Sequence, residues 1–143
     1  MTISVHTFDD LDARTAYALW RLRQQVFVVE QQSPYPDLDG RDLEPTTRHL
    51  LATDGDELVA CLRVLDDGTH ARIGRVVVTP AARGRGLARD LMAAALAEIG
   101  EREIRLDAQT ALTQWYARYG FEANGPEFVE DGVAHRPMVR QAP

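Results

Sequence analysis

Apolar residues fall along this chain in short runs whose spacing switches between two and three or four, and each switch marks a change of element. Ile3 to Phe8 alternates weakly and predicts a short first strand. Asp9 and Asp10 offer N-caps to a helix that carries Leu11, Leu19, Leu22 and Val26 on one side and ends near Phe27. Ser33-Pro34-Tyr35-Pro36-Asp37-Leu38-Asp39-Gly40 combines prolines, a glycine and alternating acids, which predicts a loop. His49 to Thr53 and Glu57 to Leu65 are apolar-rich runs on either side of Asp54-Gly55-Asp56, a hairpin signature.

A turn at Asp66-Asp67-Gly68 leads into Ala71 to Thr79, a run rich in β-branched residues that reads as a central strand ended by Pro80. From Gly86 to Ile99, Leu87, Leu91, Ala95, Leu96 and Ile99 recur at helical spacing, and Gly100 stands where a C-terminal cap belongs. Ile104 to Ala108 predicts another strand and Leu112 to Tyr119 another helix, closed by Gly120. Two last strands flank Asp131-Gly132. The pattern is a mixed α/β (α+β) sheet with helices and no internal repeat.

Size changes this picture little: 143 residues, 45% of them hydrophobic, bury one core and make one domain, residues 1–143. No apolar run approaches the length of a membrane span, and Met1-Thr2-Ile3-Ser4-Val5-His6 lacks the basic start and apolar stretch of a signal peptide, so a cytoplasmic location is expected. The single cysteine, Cys61, lies in the apolar stretch Leu58-Val59-Ala60-Cys61-Leu62 and reads as a buried thiol. No disulfide framework or cysteine zinc site follows, and His49 and His135 belong to no metal-binding spacing, so no metal is expected. The net charge of −6 is a poor match for nucleic acid. Acids gather early in the chain and arginines between Arg72 and Arg105, an arrangement that can show a basic surface to one ligand and an acidic one to another.

Chemistry concentrates where the central strand meets the second helix, in Val76-Val77-Val78-Thr79-Pro80-Ala81-Ala82-Arg83-Gly84-Arg85-Gly86-Leu87-Ala88. Glycines there let the backbone turn and present consecutive N–H groups at a helix N-terminus, where unpaired donors and the dipole attract an anion. Arg83 and Arg85 add positive charge, and a diphosphate is the natural ligand. No Gly-Lys-Ser/Thr follows as in a P-loop, and Gly84-x-Gly86-x-x reaches Arg89 where a dinucleotide fingerprint needs glycine. What remains is Arg-x-x-Gly-x-Ala, from Arg83 through Gly86 to Ala88.

Here the chain resembles the GNAT superfamily of N-acetyltransferases, whose Gln/Arg-x-x-Gly-x-Gly/Ala motif binds the pyrophosphate of coenzyme A. Tyr116-Ala117-Arg118-Tyr119-Gly120-Phe121 is similar to the family's Tyr-x-x-x-Gly-Phe segment. Leu22-Arg23, Val26-Phe27-Val28-Val29-Glu30-Gln31, Pro34-Tyr35, Asp37, Asp39 and Arg48-His49 resemble its ElaA-like branch. The resemblance implies a mostly antiparallel, twisted mixed sheet with splayed central strands and an acetyl-CoA cosubstrate. It implies that Arg83, Gly84, Arg85, Gly86, Leu87 and Ala88 cradle the diphosphate and that main-chain groups of Val76, Val77 and Val78 hold the pantetheine arm. It gives Tyr116 the role of general acid toward the departing sulfur.

Many relatives place a glutamate base on the central strand, but Arg72 and Arg75 occupy that neighbourhood here, which leaves Glu30, Asp107 or a chain of waters. Asp37, Asp39, Asp42 and Glu44 are either a solvated loop or the rim of a site for a cationic amine, and the resemblance puts Asp37 and Asp39 at the acceptor mouth. His49 and His135 are read as structural or pocket-lining. Beside an acetyltransferase acting on a small or peptide amine stand two alternatives. One is an acyltransferase resembling acyl-homoserine-lactone synthases, on Arg23 with Val26-Phe27-Val28; the other is a coenzyme A-binding sensor or interaction module without catalysis. The terminal strands offer edges for a homodimer.

Overall fold

Alternation in Leu50-Leu51-Ala52 and Ala60-Cys61-Leu62 sends successive side chains to opposite faces, and all six are buried, so both faces of these strands must be covered. The computed structural model, which describes residues 1–143, does this with one helix on each face. In chain order the first elements are β1 (Thr2–His6), α1 (Ala13–Arg23), β2 (Arg48–Asp54), β3 (Glu57–Asp66), β4 (Ala71–Val78) and α2 (Leu87–Ile99). They are followed by β5 (Ile104–Gln109), α3 (Thr113–Ala117), β6 (Glu122–Ala123), β7 (Phe128–Glu130) and β8 (Val133–Arg140). One sheet runs β1-β2-β3-β4-β5-β8-β6, with β7 also on β8, and every pairing is antiparallel except β4 with β5.

On one face Leu19, Leu22 and Val26 meet Leu51, Cys61 and Val77. On the other, Leu87, Leu91, Met92 and Ala95 of α2 join Leu50, Ala52, Leu62, Ile73, Ile104 and Leu106. Burial pushes the Cys61 thiol up to about 12, so it is an inert core group. No helix is long and apolar enough to cross a membrane.

Three local details differ from the sequence pattern. Asp9 and Asp10 sit in a short 3₁₀ turn, and it is Asp12 that caps α1, its carboxylate accepting from the Thr15 N–H at 2.7 Å. Helical backbone continues past Phe27, because Gln24–Glu30 widens into a π-helical segment that carries Val26 into the core and ends with Glu30. The pair Glu122–Ala123 adds a short strand, β6, against β8, too brief for a periodic signal.

A fourth detail bears on function. Cys61 lies opposite Val77 and Arg63 opposite Gly74, so a single residue of β3 faces two of β4, a β-bulge at Arg75 and Val76. The extra residue switches which side chains reach each face: Ile73 packs toward α2, whereas Val77 packs toward α1.

Candidate active site

Parallel pairing of β4 with β5 is limited to Ala71 with Ile104 and Arg72 with Arg105. Beyond Arg72 the two strands part, while β5 stays paired to β8 through Gln109. The residues from Ile73 to Val78 therefore have neighbours on β3 but no ladder toward β5. Val77 is buried and Val76 and Val78 pack against the main core, so the side chains are structural while one edge of the main chain faces a gap.

That edge runs into the glycine turn. Gly84 and Gly86 have φ of +83° and +77°, the left-handed region that other residues enter at a cost. Gly86 is the N-cap residue of α2, whose thirteen residues align their peptide dipoles toward the turn, and Leu87 and Ala88 open its first turn. Of the arginines, Arg85 is more than half exposed and lies 3.7 Å from Asp54. Arg83 instead donates from both terminal nitrogens to the two carboxylate oxygens of Glu30 at 2.8 Å, and its Nε donates to the Val78 carbonyl at 3.1 Å. The hydrogen bonds from Arg83 hold the Glu30 carboxyl below the usual carboxylate range. The structure thus places Glu30 as the charge partner of Arg83, in a pair whose side chains are 44% and 42% exposed, and a base role would require Arg83 to release it.

Tyr116 lies on α3 with its ring buried against Trp115 at 4.9 Å and Phe121 at 6.2 Å. Its hydroxyl has no partner within the chain, yet is not among the side-chain atoms sealed from solvent. Burial pushes the phenol up to about 12, so it keeps its proton at neutral pH and can donate it in a hydrogen bond. Asp107 on β5, the other carboxylate considered as a base, is about 42% exposed and meets Arg72 at 3.5 Å.

The acidic loop is not a free rim. Arg23, 1% exposed, donates to Asp37 Oδ2 at 2.9 Å, to both oxygens of Asp42 at 2.9 and 3.1 Å and to the Asp37 carbonyl at 3.1 Å. Arg63 holds Asp39 at 2.6 Å and Asp42 at 3.1 Å, and Arg75 reaches Asp37 at 2.9 Å and Asp39 at 3.4 Å. Three arginines thus neutralise three aspartates, which removes the basis for reading Asp37 and Asp39 as collectors of a cationic amine. The sequence reading missed these partners, although Arg63 inside an apolar strand was a signal, since a buried guanidinium requires an anion. His49 belongs to the same assembly: its Nε2 donates to the Asp42 carbonyl at 3.1 Å, and burial lowers its pKa, so it is neutral. His135 stacks on Phe128 at 5.5 Å, and its Nδ1 donates to the Val133 carbonyl at 2.8 Å.

The electrostatics of the turn support a specific expectation. Arg85→Ala should weaken acetyl-CoA binding by only about threefold in low salt, because an exposed charge acts through the solvent while the N–H donors stay in place. Titration calorimetry at rising salt should show that difference shrink, and a salt-independent loss would mean a direct, buried contact instead.

Comparison with known proteins agrees with this geometry. The acetyltransferase (GNAT) domain family matches residues 13–142. The UPF0039 protein Rv2851c of Mycobacterium tuberculosis is 49% identical over 138 residues, which span 92% of this chain and 87% of that protein. A solved acyl-CoA N-acyltransferase from Pseudomonas aeruginosa superposes with a TM-score of 0.93 at 39% identity, over 98% of this chain and 99% of that one. The crystal structure of Escherichia coli ElaA does so with a TM-score of 0.93 at 36% identity, over 99% of this chain and 100% of that one. By sequence and by fold, this chain belongs to the GNAT family of N-acetyltransferases, on the branch that contains ElaA.

Proposed function

We propose that this enzyme binds acetyl-CoA along the gap between β4 and β5 and transfers the acetyl group directly to a primary amine in a ternary complex. The observation that carries the reading is the continuity of the open β4 edge with the glycine turn at the start of α2. A pantetheine arm contains two amides and suits a strand edge with unused main-chain groups; a diphosphate suits a helix N-terminus. Main-chain groups of Val76, Val77 and Val78 would hold the arm, and Gly84, Arg85, Gly86, Leu87 and Ala88 the diphosphate. A Cβ at Gly84 would meet open space, so the surface beside the turn is accessible. Arg83 is available to the phosphates only if Glu30 shares or releases it.

Acetyl-CoA supplies the acyl group as a reactive thioester. Donors aimed at the carbonyl oxygen as it gains charge lower the barrier to attack, and the lack of a ladder from β4 to β5 beyond Arg72 supports that role for the β4 main chain. Tyr116 would act on the departing sulfur. A phenol at about 12 transfers its proton to a thiolate near ~8.5 only uphill, so its contribution is a hydrogen bond to developing charge rather than full proton transfer. With Glu30 paired to Arg83 and Asp107 to Arg72, the ammonium proton of the amine would leave through water or through a carboxylate that its arginine releases.

Tyr116→Phe tests the reading, since it keeps the ring packing and deletes one hydroxyl. Acetyl-CoA affinity should barely change, while kcat should fall about 10- to 100-fold, the worth of a hydrogen bond to a charged acceptor. Because the phenol titrates near 12, the ratio of parent to variant rates should stay flat from about pH 6 to 10. An unchanged kcat with chemistry rate-limiting would make Tyr116 a packing residue. Coenzyme A release should be followed with acetyl-CoA and longer acyl-CoAs over an amine panel. Preference for long chains would favour the lactone-synthase-like alternative, and binding without turnover a sensor.

A further inference from the structure

Three residues other than glycine have a positive φ. Gln32 and Asp131 lie in turns, whereas Arg75, with φ of +53°, lies inside β4. A long side chain rarely takes this conformation. Bulges that need it usually place glycine there. This chain has a glycine next door, Gly74, and still gives the left-handed position to an arginine.

The guanidinium explains the choice. Arg75 Nε lies 2.9 Å from Asp37 Oδ1 as an ion pair without hydrogen-bond alignment, and one terminal nitrogen donates to the Asp37 carbonyl at 3.1 Å and to Asp39 Oδ2 at 3.4 Å. The same group lies over the Tyr35 ring, 5.3 Å from its centre. Tyr35 in turn donates from its hydroxyl to Asp37 Oδ1 at 2.7 Å. The loop is itself fixed by the buried Arg23 and Arg63. A short non-repetitive loop, anchored by two other arginines, thus grips β4 at its one unfavourable backbone position. That position comes three residues after the last pairing with β5, where the gap opens.

We propose that Arg75 is a positioning residue for acyl transfer: its grip on Asp37, Asp39 and Tyr35 keeps the left-handed bulge that aims the open main chain of Val76, Val77 and Val78 into the gap between β4 and β5. Released from the loop, residue 75 relaxes to ordinary extended backbone, which slips the strand and turns those groups away. The proposal rests on the acyl-CoA reading of the gap given above, and it assigns Arg75 no contact with substrate.

The test compares Arg75→Ala with Arg75→Gly. Both delete the guanidinium, but only glycine enters the left-handed region without cost. If Arg75 works by holding the backbone, Arg75→Ala should lose about tenfold or more in kcat, as expected when reacting groups are displaced by a fraction of an ångström. Arg75→Gly should retain several-fold more activity than Arg75→Ala, although it removes more atoms. A role in general stability or charge predicts the reverse order, since glycine loosens a strand more than alanine does. Equal kcat in the two variants, or kcat at the parent's level in Arg75→Ala, would overturn the proposal.

A readout independent of turnover is the three-bond amide–Hα coupling and Cα shift of residues 74–78 in labelled protein. Left-handed values should persist in Arg75→Gly and vanish in Arg75→Ala; left-handed values retained in Arg75→Ala would also sink the idea. Should Arg75→Ala not fold, Tyr35→Leu removes the stacked ring and its bond to Asp37 while leaving Arg75 in place. It should shift the same couplings part-way and lower kcat by a smaller factor; unmoved couplings would count against the grip. Failure of the acyl-CoA reading itself would look different, because the parent protein would then bind no acetyl-CoA.

Discussion

Gly86→Val should weaken acetyl-CoA binding about 100-fold or more, a loss of roughly 2.7 kcal/mol. At φ of +77° a β-branched residue is strained by about 1–3 kcal/mol, so the backbone either stays and holds that strain or rotates away. If it stays, the new side chain projects beside the first N–H groups of α2 and blocks the approach of a phosphate. If it rotates, those donors no longer converge. A Cβ would also lie 2.7 Å from Arg89 Nη2, but that side chain is about 69% exposed and can swing aside, so the clash is the lesser cost. Calorimetry on the folded variant measures the loss. A dissociation constant equal to the parent's would remove the diphosphate assignment of the turn and, with it, the proposed direction of the cosubstrate along β4.

The largest effect on folding is expected at Arg23. Arg23→Ala leaves the carboxylates of Asp37 and Asp42, 9% and 6% exposed, without their main cation, and breaking such a buried pair costs about 3–5 kcal/mol. In a domain of this size that is a fall in Tm of about 10 °C or more. By contrast, Arg41→Ala removes pairs with Glu44 and Asp67 in which each side chain is at least a fifth exposed, and should cost about 1 kcal/mol or less.

The same cluster sets a limit in acid. Arg63 holds Asp39 far below the usual carboxylate range; for Asp42, burial alone would raise the pKa, but its bonds to Arg23 and Arg63 outweigh that and lower it. Both carboxylates therefore contribute stability above their unfolded values near ~4, and that stability drains away as pH falls below about 4 toward the depressed folded values. Urea unfolding at a series of pH values checks both claims. An Arg23→Ala variant within about 1 kcal/mol of the parent would mean that the cluster is hydrated enough to dispense with its central arginine.

What could be read from sequence follows from range. The bounds of α2 come out within a residue because Leu87, Leu91 and Ala95 repeat at 3.6 and Gly86 and Gly100 punctuate the ends, all within one short window. The hairpin around Asp54-Gly55-Asp56 and the left-handed glycines of the turn are local in the same sense. The bulge at Arg75 is not: the residues that reach it, Asp37 and Asp39, lie more than 35 positions away, and no pattern in residues 71–78 announces it. The acidic loop was misread for the same reason, since its neutralising partners lie at positions 23, 63 and 75. Glu30 likewise has its ion partner, Arg83, 53 residues away, where its own neighbourhood does not announce it. Runs and caps report backbone choices, whereas the state of a charge depends on which distant chain segment reaches it.

The seam between β4 and β5 gives the sheet a mechanical character. With only two residue pairs joining them, the strands before and after it form two leaves on a narrow spine, and Leu91, Met92 and Ala95 of α2 share one core with Ile104 and Leu106 of the second leaf. The missing rungs lie in the interior of the sheet, where no foreign strand can dock as it can on an outer rim. A long, thin molecule threaded into that opening supplies the rungs that the polypeptide omits. On the proposed reading, filling the seam and stiffening the whole fold would be one event, with the cosubstrate as a removable structural member.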